Sequence, residues 1–279
     1  MYIDTHAHVN FNNFIKDADD VIRRSLESNT WLINVGAEYK TSRRALDIAN
    51  KYDKGVYAAV GLHPIHLEPI RAQGDDYDFS SKAEEFNYEA YLRLAKTKKV
   101  VAIGEIGLDY YHIDPSQDVE AIKQKQKQTF VEQYKLAREL DLPIIIHCRD
   151  AHDDMIIMLK ELKKKHQDLI SKDSPWGVMH CFSGDEDLAW QYFSLGLLIS
   201  FTGVITFSRR WDDLVRKVPL EKIMIETDCP FMTPEPFRGK RNEPVFVKYV
   251  AARIAEIKNL SLDKVAEITT VNAKQFFKI

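Results

Sequence analysis

The chain has 279 residues, 45% of them hydrophobic, with 39 Lys+Arg against 42 Asp+Glu and a formal net charge of −3. That length can bury a large core, and 10 Pro with 11 Gly argue against a disordered or fibrous chain. The near-balanced charge argues against a protein held to nucleic acid or membrane by bulk positive charge, but leaves room for a small local anion site.

Eight short apolar runs follow one another along the chain: Tyr2–Val9, Trp31–Gly36, Val56–Leu62, Val100–Ile106, Pro143–Cys148, Gly177–Phe182, Leu197–Thr202 and Ile223–Glu226. Several are continuous rather than alternating, as in Ile144-Ile145-Ile146, which suits strands buried on both faces of a parallel sheet. Amphipathic stretches at helical spacing lie between them. These include the region around Val21 and Leu26, Tyr88–Ala95, and a long stretch from about Gln117 to Leu140 with Phe130, Tyr134 and Ala137 on one stripe. Met155–Leu162, Leu188–Leu195 and Trp211–Val218 continue the series. Ser183-Gly184-Asp185 offers an N-cap and Gly196 a C-terminal stop. From Phe246 onward the pattern is helical throughout, with Ser261 as a cap. The acidic patch Gly74–Glu85 follows the third run and reads as an extended βα loop.

Strand alternating with helix eight times predicts a (β/α)₈ TIM-like barrel as one domain over residues 1–279, with an open doubly wound sheet as the alternative. Three scattered cysteines, Cys148, Cys181 and Cys229, form neither a disulfide framework nor a zinc knuckle, which points to a reducing, cytoplasmic setting. The first 20 residues lack a signal-peptide pattern. No window reaches the roughly 18 apolar residues of a membrane span.

In a barrel the chemistry sits at the C-terminal strand ends. The first run carries His6-Ala7-His8, whose imidazoles face the same way on a strand. Glu105 lies near the end of the fourth run, His147 near that of the fifth, His180 in the second half of the sixth, and Asp228 just past the eighth. Taken singly, each is also readable as a hydrogen-bonded histidine or a rim salt bridge. Together they place four histidines and two carboxylates at one mouth, where they would repel or desolvate each other. A divalent cation resolves this, and six ligands exceed one tetrahedral ion, so two ions sharing a carboxylate are expected.

The stretches that carry these residues resemble the TatD family of metal-dependent deoxyribonucleases, within the amidohydrolase-like barrels. The matching stretches are Ile3-Asp4-Thr5-His6-Ala7-His8, Gly61-Leu62-His63-Pro64, Gly104-Glu105-Ile106-Gly107-Leu108-Asp109, Ile146-His147-Cys148-Arg149-Asp150-Ala151, His180-Cys181-Phe182-Ser183-Gly184, Ile225-Glu226-Thr227-Asp228 and Arg238-Gly239-Lys240-Arg241-Asn242-Glu243-Pro244. The resemblance implies that His6, His8, Glu105 and Asp228 hold one ion and that Glu105, His147 and His180 hold the second. Cys148 stands where the family usually has Ser, and is expected to point away from the site.

The expected activity is phosphodiester hydrolysis at DNA ends, with RNA open as a further substrate and Zn²⁺, Mg²⁺ or Mn²⁺ as the ions. Asp228 is the expected proton acceptor, with Glu105 bridging. His63, Arg149, Arg238, Lys240 and Arg241 are expected to contact the substrate, although His63 also reads as a turn histidine, Arg149 as a partner of Asp150 or Asp109, and the basic run as a solvated loop. Asp109 is expected to position neighbouring groups. Tyr110, Tyr111, Phe207 and Phe237 are aromatics near the mouth that either stack bases or pack. The alternative activity is hydrolysis of another bond, such as an aminoacyl-tRNA ester or a small phosphodiester. A monomer with no membrane attachment is expected.

Overall fold

The computed structural model describes residues 1–74, 77–165 and 175–279, and for residues 70–74 and 77–81 the backbone alone. Ten strands and ten α-helices are described: β1 Tyr2–Ala7, α1 Ala18–Glu27, β2 Thr30–Val35, α2 Tyr39–Ala49, β3 Val56–Val60, β4 Ile70–Gly74, β5 Tyr77–Ser81, α3 Tyr88–Ala95, β6 Val100–Asp109, α4 Val119–Glu139, β7 Ile144–Arg149, α5 His152–Lys165, β8 Gly177–Met179, α6 Glu186–Leu195, β9 Leu197–Phe201, α7 Val204–Phe207, α8 Asp212–Lys217, β10 Ile223–Ile225, α9 Val247–Lys258 and α10 Leu262–Phe277.

Eight strands form one parallel sheet in the order β1-β2-β3-β6-β7-β8-β9-β10. The sheet closes on itself at its C-terminal end, where Ala7 pairs with Cys229 in a parallel bridge. The backbone N–H of His8 donates to the Cys229 carbonyl at 2.9 Å, and that of Asp228 donates to the His6 carbonyl at 2.9 Å. The TIM-like barrel expected from the eight runs is therefore formed, and the open sheet is not.

One apolar cluster lies between the strands and the surrounding helices. A second takes Ile3, Ile33, Ala59, Ala102, Ile145, Val178, Leu198 and Met224 from successive strands and fills the barrel interior. Phe276 and Phe277 of α10 close it at the N-terminal end, where Asn272 Nδ2 donates to the Leu220 and Ile223 carbonyls at 2.9 and 2.8 Å.

Local chemistry sets the element ends. Asp185 caps α6 by accepting from the Leu188 N–H, and Gly196 stops it in the left-handed region with φ 88°. Ser261 caps α10. The C-terminal stretch differs from the continuous helix expected: Asn259, at φ 52°, separates α9 from α10. The helix α2 was not legible, because its apolar positions are confined to Ala45, Leu46, Ile48 and Ala49 among polar residues. The segment expected to be an extended loop at 74–85 instead contributes to an antiparallel hairpin, in which Ile70 pairs with Ser81 and Gly74 with Tyr77. Asp75 and Asp76 of that acidic patch lie outside the described residues. No described helix is long and apolar enough to cross a membrane.

Candidate metal centre

Two register shifts aim the site. One falls between Asp4 and Ala7 of β1, the other between Ile103 and Ile106 of β6. Beyond them Ala7, Ile106 and Leu108 pack outward among the helix-facing core residues, so His6, His8 and Glu105 are turned toward the interior. β6 approaches β7 so closely that a Cβ on Gly107, at φ 153°, would sit 1.9 Å from the His147 carbonyl oxygen.

Two buried amides of α4 hold neighbouring strand ends. Gln133 accepts from the Leu62 N–H at 2.7 Å and donates to the Leu62 carbonyl at 2.9 Å. Gln126 does the same at Asp109, at 2.8 and 2.9 Å. These bonds fix the backbone beside His63 and at the root of the Asp109 side chain. Asp4, fully buried, accepts from the Thr227 N–H at 2.8 Å and the Thr227 hydroxyl at 2.5 Å, which ties the turn carrying Asp228 to β1. Burial pushes the Asp4 carboxyl well above the usual carboxylate range, against the opposing bonds from Thr227.

The other five expected ligands converge around Glu105. Its Oε2 lies 3.3 Å from His6 Nε2 and 3.8 Å from His8 Nε2. Its Oε1 lies 2.8 Å from His147 Nδ1, 3.3 Å from His63 Nε2 and 3.7 Å from His180 Nε2. Asp228 Oδ1 is 3.3 Å from His8 Nε2 and 3.9 Å from both His6 Nε2 and His180 Nε2. Three sets of possible ligand atoms lie within 4.8 Å of one another: His6, His8 and Asp228; His6, His180 and Glu226; and His63, Asp109 and His147.

The donor chemistry fits a cation. His8 Nδ1 is 2.8 Å from the Val35 carbonyl, which can only accept, so the ring proton sits on Nδ1. In the neutral ring Nε2 is then a lone pair, and it faces Asp228 Oδ1 at 3.3 Å and His6 Nε2 at 3.1 Å. Buried acceptors at these separations are costly unless a positive charge lies among them. Imidazole nitrogen with carboxylate oxygen is a donor set for a divalent ion of the zinc or manganese kind.

In the absence of an ion, the electrostatics keep the carboxylates ionised and place the compensating positive charge on two of the imidazoles. Burial pushes Glu105 up, but the charges of His63, His180 and His6 and the bond from His147 outweigh it and hold the carboxyl well below the usual range. For Asp228 burial again raises, and the contact with His8 and the rings of His180 and His6 outweigh it. Burial lowers His6 and His63. Against burial, bonds to Asp109 and Glu105 raise His147 to about 9, and Glu226 with Glu105 raises His180 to about 10.

Asp109 positions its neighbours, as expected: Oδ1 accepts from the His112 N–H at 3.0 Å, and Oδ2 is 2.8 Å from His112 Nδ1 and 2.9 Å from His147 Nε2. Glu226 has a role that sequence reasoning missed. Its Oε1 accepts from the Cys181 N–H at 2.7 Å and lies 2.8 Å from His180 Nδ1. The signal was available, since Glu226 stands two residues from Asp228 at the end of the eighth run. His63 makes the turn contact of one of its two readings: Nδ1 accepts from the Ile65 N–H at 3.1 Å, which leaves Nε2–H to point at Glu105. Cys148 turns away from the site, with Sγ 3.4 Å from His152 Nδ1.

The cations separate. Arg241 donates to Asp17 at 3.0 and 2.5 Å and to Glu243 at 3.2 Å. Its charge is shared with those two carboxylates. Arg149 pairs with neither Asp150 nor Asp109 among the described residues; its guanidinium lies 3.7 Å from the centroid of the Tyr111 ring. Arg238 is exposed and lies 3.8 Å from the Phe207 centroid. Lys240 is exposed, with Nζ 5.6 Å from the Phe237 centroid. Of the four aromatics, Tyr110 bonds Asp154 at 2.6 Å and Phe237 stacks on Phe246 at 4.5 Å, whereas Tyr111 and Phe207 remain exposed.

A barrel with buried imidazoles and carboxylates crowded at its C-terminal mouth defines the class of metal-dependent hydrolases. Residues 3–278 match the family described as TatD related DNase, and the chain belongs to that family. It is 39% identical to the uncharacterized metal-dependent hydrolase YabD of Bacillus subtilis, over the whole of both chains. It is 30% identical to the 3′-5′ ssDNA/RNA exonuclease TatD of Escherichia fergusonii, covering 99% of this chain and 98% of that one. The crystal structure of YjjV, a TatD homologue of Escherichia coli K12, superposes with a TM-score of 0.83 at 31% identity, covering all of this chain and 98% of that one.

Proposed function

We propose that this metal-dependent hydrolase cleaves phosphodiester bonds at the ends of DNA, with RNA as a further substrate, using two divalent ions that share Glu105. The observation that carries the reading is the division of the Glu105 carboxylate. Oε2 faces His6 and His8, with Asp228 beside His8, while Oε1 faces His147 and His180. The exonuclease among the relatives supports the substrate class.

His6, His8, Glu105 and Asp228 would hold one ion and Glu105, His147 and His180 the other. When bound, such a pair supplies Lewis acidity and a water acidified toward neutral pH. The chain's own groups do the rest. Asp228, ionised at neutral pH, accepts the proton of the attacking water. His63, whose Nε2–H lies beside Glu105 Oε1, would donate to a phosphate or leaving oxygen seated against that carboxylate. Arg149, Arg238 and Lys240 receive neighbouring phosphates.

The test is incubation of 5′-labelled single-stranded DNA with metal-stripped protein to which Mg²⁺, Mn²⁺ or Zn²⁺ is restored. A ladder of shortened products that disappears with chelator supports the reading. Absence of cleavage with all three ions would sink it and turn attention to ester substrates such as aminoacyl-tRNA.

A further inference from the structure

Two exposed aromatic rings at the barrel mouth each carry a stacked guanidinium. Tyr111, in the loop after β6, is 57% exposed and lies under Arg149, the last residue of β7, at 3.7 Å. Phe207, the last residue of α7, is 39% exposed and lies under Arg238 in the loop after β10, at 3.8 Å. In barrel order the first pair stands at strands four and five and the second at strands seven and eight. His147, His180 and Asp228 come from the ends of strands five, six and eight, so the pairs flank them.

Several other arginines of the chain are committed to carboxylates. Arg24, Arg241 and Arg253 each grip a carboxylate. Among the described residues Arg149 and Arg238 grip none. Arg238 also donates through Nη1 to the Thr233 carbonyl at 3.3 Å; with a ring against one side, each guanidinium keeps further N–H groups that can form a fork with a phosphate. Where the ring is open to solvent it offers a π-face on which a nucleobase can stack regardless of its identity. Each pair thus offers a base platform and a phosphate fork side by side, the repeating chemistry of a single strand whose bases are unpaired.

Building on the phosphodiester reading, we infer that Tyr111–Arg149 and Phe207–Arg238 are two base-stacking subsites that seat successive parts of a single-stranded nucleic acid across the metal centre. The platforms make the enzyme sequence-tolerant and disfavour duplex, whose stacked bases cannot reach them.

The test uses a short single-stranded oligonucleotide carrying 2-aminopurine near its 3′ end, with phosphorothioate linkages that block cleavage. It is titrated with wild-type protein, Tyr111→Leu, Tyr111→Phe, Phe207→Leu and the Tyr111→Leu/Phe207→Leu double variant in Mg²⁺. Thermal melts establish that these surface variants are folded. Wild type and Tyr111→Phe should quench the base fluorescence. Tyr111→Leu should lose most of that quench and raise KM on the unmodified oligonucleotide about tenfold, with kcat within about twofold. Phe207→Leu should behave alike for a base placed further along the strand. Undiminished quenching in the double variant, or a fall in kcat at constant KM, overturns the inference. Cleavage by wild type without quenching overturns the stacking while leaving the nuclease reading intact. Quenching without cleavage does the reverse, and absence of both overturns both.

Discussion

Glu226 Oε1 lies 2.8 Å from His180 Nδ1, while the other nitrogen of the same ring faces Glu105 Oε1 at 3.7 Å. The ring is thus held between a carboxylate behind it and the shared carboxylate in front. A carboxylate behind a metal-binding imidazole fixes its orientation and raises its basicity. Glu226→Gln keeps an acceptor for the Cys181 N–H but removes that charge. It should weaken metal binding about 10- to 100-fold with little change in thermal stability, as read by competition against a chelating indicator. Unaltered affinity would show that Glu226 does not support the site.

Arg149 and Arg241 should fail in different assays. Arg241→Ala breaks the contacts with Asp17 and Glu243 that hold the 238–243 loop against α1. It should cost about 1–2 kcal/mol in urea unfolding and leave KM near wild type. Arg149→Ala removes an exposed cation with no carboxylate partner among the described residues. It should raise KM about tenfold, equivalent to ~1.4 kcal/mol, without lowering Tm. Exchange of these two phenotypes would refute the division.

Asn242 ties the same loop to the turn that carries Asp228. Buried completely, it donates through Nδ2 to the Thr227 carbonyl at 2.9 Å and the Phe231 carbonyl at 2.6 Å. Asn242→Ala leaves both carbonyls without this donor and should cost about 2–4 kcal/mol. Chemical denaturation reads the loss, and a cost under half a kcal/mol would contradict it.

His66 gives stability a pH dependence. Burial, reinforced by His63 and opposed by Glu105, lowers it from 6.5 to about 3. The folded chain therefore keeps the ring neutral where the unfolded chain takes up a proton. This contribution is fully present above about pH 6.5 and is lost progressively as pH falls toward 3. At pH 5 it amounts to about 2 kcal/mol. In urea unfolding at pH 7 and pH 5, His66→Gln should show a smaller drop than wild type by about that amount. Equal drops would contradict the assignment.

Much of this was legible in the chain. Each of the eight apolar runs became a barrel strand, because strands buried on both faces need continuous apolar sequence. His6, His8, Glu105, His147, His180 and Asp228 stood out because polar residues at the ends of such runs are costly without a purpose. What was hidden depends on three-dimensional partners. Gln126 and Gln133 look like surface residues of a long helix until their amides are seen to close on strand ends. Arg241 looks like its neighbour Lys240 until Asp17, more than two hundred positions away, is found beside it. The register shifts in β1 and β6 that aim the ligands inward leave no pattern in composition.

His6, His8, Glu105, His147, His180 and Asp228 are proposed to hold two divalent ions with Glu105 between them. Native mass spectrometry of protein stripped with chelator and then reconstituted with Zn²⁺, for wild type and Glu105→Ala, tests it most directly. Two ions are expected per wild-type chain, with loss of both sites' high affinity in the variant while the chain stays folded. A wild-type chain that binds none, or a Glu105→Ala chain that still carries two, would contradict it.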